Sequence, residues 1–198
     1  MADKSLLVSS LTIAVSVWIA AGGWIFAYLH GRKTATRAAR LERVNRQLGL
    51  FYGPLLATLE SGDAAWRAFW RKYRPAHGQD AYFAAGYPLT DEELRRWRLW
   101  MTEVFHPNNL QIESLINSHL ELIVEDEMPR EFTDALAHIA VYRAVIARWA
   151  QNDFSEHTSV INFPSAELIA LVKPTYKALK AEQLGLISDT HDTNGAKN

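Results

Sequence analysis

Hydrophobic positions fall into two regimes along this chain. From Leu6 to Leu29 the sequence reads LLVSSLTIAVSVWIAAGGWIFAYL and carries no charged residue. Coiled into a helix, such a run is apolar all round. Its twenty-four residues would rise ~36 Å at ~1.5 Å each, enough to cross a hydrocarbon core of ~30 Å with some tilt. After it, apolar residues recur at intervals of three and four, the spacing of a single helical face. Leu41, Val44, Leu48, Phe51, Leu55 and Leu59 make the first such stripe, and Trp66, Phe69, Trp70 and Tyr73 an aromatic one. Leu94, Trp97, Met101, Val104 and Phe105 make the next, and Ile112, Leu115, Ile116, His119 and Ile123 carry another to about Val124. Phe132, Leu136, Ile139, Tyr142, Ile146 and Trp149 mark a strongly amphipathic helix, and Leu168, Leu171, Val172, Tyr176 and Leu179 the last. No run alternates with period two for a convincing length. The expected fold is all-α: one N-terminal transmembrane helix followed by a cytoplasmic bundle of about five helices.

Turn and cap residues set the expected boundaries. Pro54 lacks an N–H and crowds the Leu50 carbonyl, so a kink belongs near Tyr52 and Gly53. Ser61-Gly62-Asp63 suggests a break. Arg74 to Leu89 lacks periodicity and contains Pro75, Gly78, Gly86 and Pro88, a long loop whose Tyr82, Phe83 and Tyr87 should pack onto the body. Thr90-Asp91-Glu92-Glu93 reads as a capping box. Pro107 disfavours helical geometry at His106, where the helix should stop, and starts the next. Pro174 should bend the last helix. Ser188 to Asn198 is polar and aperiodic and reads as a disordered tail. The organisation is thus an anchor over 1–30, a basic juxtamembrane helix over 31–60, a helical domain over 61–187 and a tail over 188–198.

Charge orients the anchor. Six basic residues and one acid occupy residues 32–46, whereas Asp3 and Lys4 cancel at the other end. The side richer in Lys and Arg stays in the cytoplasm, so the N-terminus should lie outside an inner membrane and the domain inside. A cleaved signal peptide would have a shorter apolar region and lack the basic stop-transfer flank. Arg32, Lys33, Arg37 and Arg40 should face the membrane surface, where each cation gains ~1 kcal/mol beside anionic lipid. Thr12, Ser16 and Ala20, followed by Gly22 and Gly23, give a small-residue face on which a second transmembrane helix can dock. Beyond Gln47 acids outnumber bases, which argues against nucleic acid as a partner. The partners implied are the bilayer and another membrane protein or a second copy of the chain.

Candidate chemistry is sparse. Absence of cysteine removes disulfides and thiolate sites. Glu103 and His106 form the one Glu-x-x-His, where a di-iron bundle needs two. His119 and His138 fall on or beside apolar faces, with Glu121 and Asp134 nearby, and admit a metal or acid–base site. Histidines hydrogen-bonded to backbone at the edge of a core explain the same pattern. Ser155, Glu156 and His157 are sequence neighbours, which rarely gives triad geometry. No phosphate-binding Gly-rich loop is present, and no cofactor is implied.

The strings LERVNRQLGLFYGPLLATLE, EDEMP and DFSEHTSVINFP together resemble those of an uncharacterised, mostly bacterial group of single-pass membrane proteins with a helical cytoplasmic domain. The resemblance covers about Leu41 to Leu184 and implies that architecture without a known activity or functional residues. The leading expectation is a non-catalytic accessory, scaffold or regulatory protein. The alternative is an enzyme or ligand-binding domain in which His106, His119 and His138 line a pocket under the 74–89 loop. A third expectation is lipid sensing through Arg32 to Arg46.

Overall fold

A computed structural model of the chain describes the backbone at residues 2–74, 82–83 and 86–195; the side chains of 2–17, 19–20 and 189–195 lie outside the description. Every regular element among the described residues is helical: α1 (Ala2–Arg46), α2 (Gly53–Tyr73), α3 (Asp91–Trp100), α4 (His106–Ser118), α5 (Arg130–Ala150) and α6 (Ser165–Gly195). The chain divides into two compact units, Met1–Arg43 with Leu186–Asn198, and Val44–Gly185.

In the smaller unit, Trp24 stacks on Tyr28 and Phe26 on His30. The Arg37 guanidinium donates through Nε and Nη2 to the Leu186 carbonyl, joining α1 to the end of α6. Trp18, Trp24, Phe26 and Leu29 are all more than half exposed. Among the described residues no helix is long and apolar enough to cross a membrane. Much of the apolar run from Leu6, including the Thr12, Ser16 and Ala20 face, lies outside the described side chains.

The larger unit shows how the chain passes its prolines. Before Pro54 the backbone widens into a π-helical turn over Gln47–Tyr52, and before Pro107 into another over Met101–Phe105. A proline cannot donate to the carbonyl four residues back. Widening shifts the register first: the Gly53 N–H reaches the Leu48 carbonyl, and the His106 N–H reaches Met101. Such one-turn π insertions absorb a residue without ending the helix. The stop expected at His106 is therefore a wide turn leading directly into α4. At Gly53 the turn leaves no room for a side chain, because a Cβ there would sit 2.5 Å from the Leu48 oxygen.

Three other expectations change. Ser61-Gly62-Asp63 is no break: α2 runs unbroken through it, and a Cβ on Gly62 would lie 2.5 Å from the Asn108 amide of α4. That glycine serves close helix packing. The helix expected to reach Val124 ends at Ser118, followed by a 3-10 turn over Leu120–Leu122. Side chains replace the missing helical bonds there: Gln47 donates to the Leu122 carbonyl at 3.0 Å, and the Tyr52 hydroxyl accepts from the Val124 N–H at 2.9 Å. The polar run from Ser188 is helical in backbone to Gly195, with 196–198 outside the description. No proline interrupts it, and extending an existing helix needs no new nucleus.

Two apolar centres organise this unit. Val44, Phe51, Leu55, Leu59, Ile112, Ile116, Phe132, Ile139, Leu168 and Val172 are buried. A second, aromatic cluster joins Phe69, Tyr82, Trp97, Met101, Tyr142 and Trp149, flanked by Trp66, Tyr73, Trp100 and Phe105. Its rings meet at tilted and edge-on angles, as between Phe69 and Tyr82 at 4.8 Å and Trp66 and Trp97 at 6.1 Å, arrangements that ring quadrupoles favour. The aromatic stripe on α2 is core.

Candidate functional site

The capping box forms as the spacing predicts: Thr90 Oγ1 accepts from the Glu93 N–H, and Glu93 Oε2 from the Thr90 N–H at 2.8 Å. The other Glu93 oxygen accepts from Arg74 Nε at 3.0 Å. Arg74 is buried and also donates to the carbonyls of Tyr82, Tyr87 and Pro88. One guanidinium thus clamps the described part of the 74–89 loop to the cap of α3. The Thr90 N–H holds the Glu93 carboxyl below the usual carboxylate range, with Arg74 adding to the effect. Burial raises the Tyr82 phenol to about 12.

Where α5 ends, Asn152 takes a left-handed conformation (φ 61°) and the Asp153 N–H reaches back to the Arg148 carbonyl at 3.0 Å. That closing pattern reverses the chain direction. The irregular segment that follows is held by side chains. Trp149 Nε1 donates to the Glu156 carbonyl at 2.8 Å; Trp97 Nε1 and the Tyr142 hydroxyl donate to the His157 carbonyl at 2.7 and 3.1 Å. His138 Nδ1 meets the Ile161 carbonyl. Buried carbonyls in an aperiodic segment need such partners.

The three sequence-derived histidines stand on different elements, and of them His106 and His138 are the pair placed within electrostatic reach of each other. His138 is buried on α5, against Tyr142 and Phe163, with Nδ1 on the backbone. That is the backbone-bonded core histidine weighed above. Its pKa is depressed, first by burial and also by His106, against a raising effect of the Ile161 contact. His106 is half-buried at the start of α4, and burial and Arg143 lower its pKa while Glu113 raises it. His119 stands at the other end of α4, its carbonyl accepting from the Leu122 N–H at 2.9 Å. Asp134 pairs with Arg130 and Glu121 with Arg46, so neither serves a histidine. Ser155 bonds Asp153 and Glu156 pairs with Arg148, which disperses the Ser-Glu-His run. Among the described residues no three His, Asp or Glu side chains are grouped to hold a metal ion.

His157 is a histidine whose surroundings its own sequence neighbours do not announce. Its ring lies near Arg98, and burial with that cation lowers its pKa. No spacing rule marks it, because its neighbours come from distant helices. In the basic segment of α1, Arg32, Lys33 and Arg40 are exposed, Arg32 over the Tyr28 ring at 5.8 Å, while Arg37 is half-buried on Leu186. No protein-family model, curated protein or solved structure matches the chain.

Proposed function

We propose that the chain is a single-pass membrane protein whose helical domain acts without catalysis, as an accessory, scaffold or regulatory module at the cytoplasmic face. The observation that carries this reading is the uncharged run Leu6–Leu29 followed directly by Arg32, Lys33, Arg37 and Arg40. It joins a span of bilayer length to a stop-transfer flank. Exposed Trp24, Phe26 and Leu29 beside exposed Arg32 and Lys33 agree with an apolar belt ending at a charged boundary. Aromatic rings such as Trp24 and Tyr28 favour that depth. The resemblance to single-pass membrane proteins belongs to the same reading. The partner is a second membrane protein or a second copy, meeting the small-residue face of the span.

Because the chain has no cysteine, its topology is open to single-cysteine labelling. Ala2→Cys and Ala181→Cys variants are treated in intact cells with a membrane-impermeant maleimide. Labelling at position 2 alone is the expected result. Labelling at 181 alone reverses the orientation, and labelling at both positions or at neither contradicts the single membrane crossing. Mass determination of the detergent-solubilised chain then addresses the scaffold role. A bare monomer with no co-purifying protein would count against it.

A further inference from the structure

Residues 153–163 form an irregular strap over α3 and α5. Its backbone is anchored by Trp149 on Glu156, Trp97 and Tyr142 on His157, and His138 on Ile161. The outer side is open to solvent, with Val160 91% exposed. Two histidines, His138 and His157, are set into this arrangement, and His106 faces His138 from α4. His138 is itself an anchor, and its contact with the Ile161 carbonyl favours the protonated ring while burial and His106 oppose it. The Nδ1 atoms of His106 and His157 are buried with no hydrogen-bond partner among the described residues.

A neutral imidazole tolerates such a position, because the bare nitrogen only accepts and the proton sits on the other one. An imidazolium carries N–H on both nitrogens, so protonation would bury a donor without an acceptor as well as a charge. The surrounding charges add to that cost. His106 faces Arg143 from α5, and Glu113 on its own helix is already paired with that arginine. His138 faces His106 from α4 and the Tyr142 phenol on its own helix. His157 faces Arg98 from α3.

We propose that residues 153–163 are an acid-releasable strap, in which protonation of His106, His138 and His157 frees the segment from α3 and α5 and uncovers the indoles of Trp97 and Trp149. The sign follows from linkage. All three groups have depressed affinity for protons while the strap is closed. The closed state is therefore favoured above their ordinary value of about 6.5 and loses ground as pH falls below it. Each of these histidines favours opening only as pH falls from its ordinary value toward its depressed closed-state one.

Hydrogen exchange on the full chain in detergent micelles tests this, with protection of the hydrogen-bonded Ser159 and Ile161 amides compared at about pH 7.5 and 5.5 after correction for the intrinsic pH dependence of exchange. Amides of α5 serve as reference. The expected result is a loss of protection in the strap relative to α5 at the lower pH. A His106→Gln, His138→Gln, His157→Gln triple variant, whose glutamine at 138 keeps a donor for Ile161, should hold the strap closed at both values. Unchanged protection in the wild-type strap at the lower pH, or equal loss in the triple variant, overturns the proposal. If the triple variant does not fold, NMR titration of the wild-type histidines decides: opening must share their midpoints, and opening that instead follows carboxylate titration overturns it.

Discussion

Gly53 and Gly49 sit four residues apart in the same wide turn and meet opposite surroundings. A methyl group at 53 would press on the Leu48 carbonyl and approach the Tyr176 ring, whereas at 49 it would meet open space. Gly53→Ala should therefore cost about 1–3 kcal/mol, the range for overpacking against fixed atoms. Gly49→Ala should be neutral or stabilise by about 0.5 kcal/mol, as alanine does at exposed helical sites. Urea denaturation of the two variants separates these outcomes, and equal effects would show that the turn is not what selects glycine. Arg74 presents a second contrast. Removing it takes away the donor to Glu93 Oε1 and the guanidinium bonds to three loop carbonyls, so Arg74→Ala should destabilise by about 3 kcal/mol, in the range for breaking a buried ion pair. Arg74→Lys should recover little of it, because an ammonium cannot spread donors over a planar fork. The Glu93 carboxyl is depressed, so its contribution is present above about 4.3, the unfolded value, and disappears as pH falls through its folded one. Global stability should decline on acidification in two stages, histidines first and Glu93 later. Arg74→Ala should shrink the second stage without abolishing it, because the Thr90 N–H still holds the Glu93 carboxylate, as read from unfolding midpoints against pH.

At the scale of elements, proline is the informative residue. Pro54 and Pro107 each announce a lost hydrogen bond, and the sequence places both irregularities within a residue or two. What proline does not announce is how the backbone responds. A stop and a π turn both satisfy the local constraint, and packing selects between them: Phe51 and Tyr52 in one turn and Met101 in the other stay buried only if the helix continues. The capping box at Thr90 is legible because it is entirely local. Thr90→Ala should cost about 1 kcal/mol by thermal or urea unfolding. Stripes such as Phe69 and Trp97, or Phe132 and Tyr142, are legible as core because periodicity reports burial directly. The strap over 153–163 is not. Its order comes from indole, phenol and imidazole groups on distant helices bonding to its backbone, and side chain–backbone bonding leaves no period in the strap's own sequence. The same distance hides the neighbours of His106 and His157. It also hides Arg74–Glu93, nineteen positions apart and joined only once the loop closes.

At the scale of the molecule, the proposed membrane reading assigns the long uncharged run, the basic flank and the acidic helical body each to a different medium. On that reading, the excess of acids beyond Gln47 should keep the body from competing for the anionic surface proposed for the basic flank. Lipid attraction should then depend on residues 32–40 alone. Replacing Arg32, Lys33 and Arg40 together with glutamine should weaken binding to anionic vesicles of the fragment that starts at residue 31, while leaving neutral vesicles unaffected. Vesicle co-sedimentation reads the difference. The tether itself is tested most directly by alkaline carbonate extraction of membranes from cells making the full chain, beside a version lacking residues 1–30. The full chain should stay in the membrane pellet while the shortened one moves to the supernatant. Release of the full chain by carbonate would contradict the membrane-spanning reading.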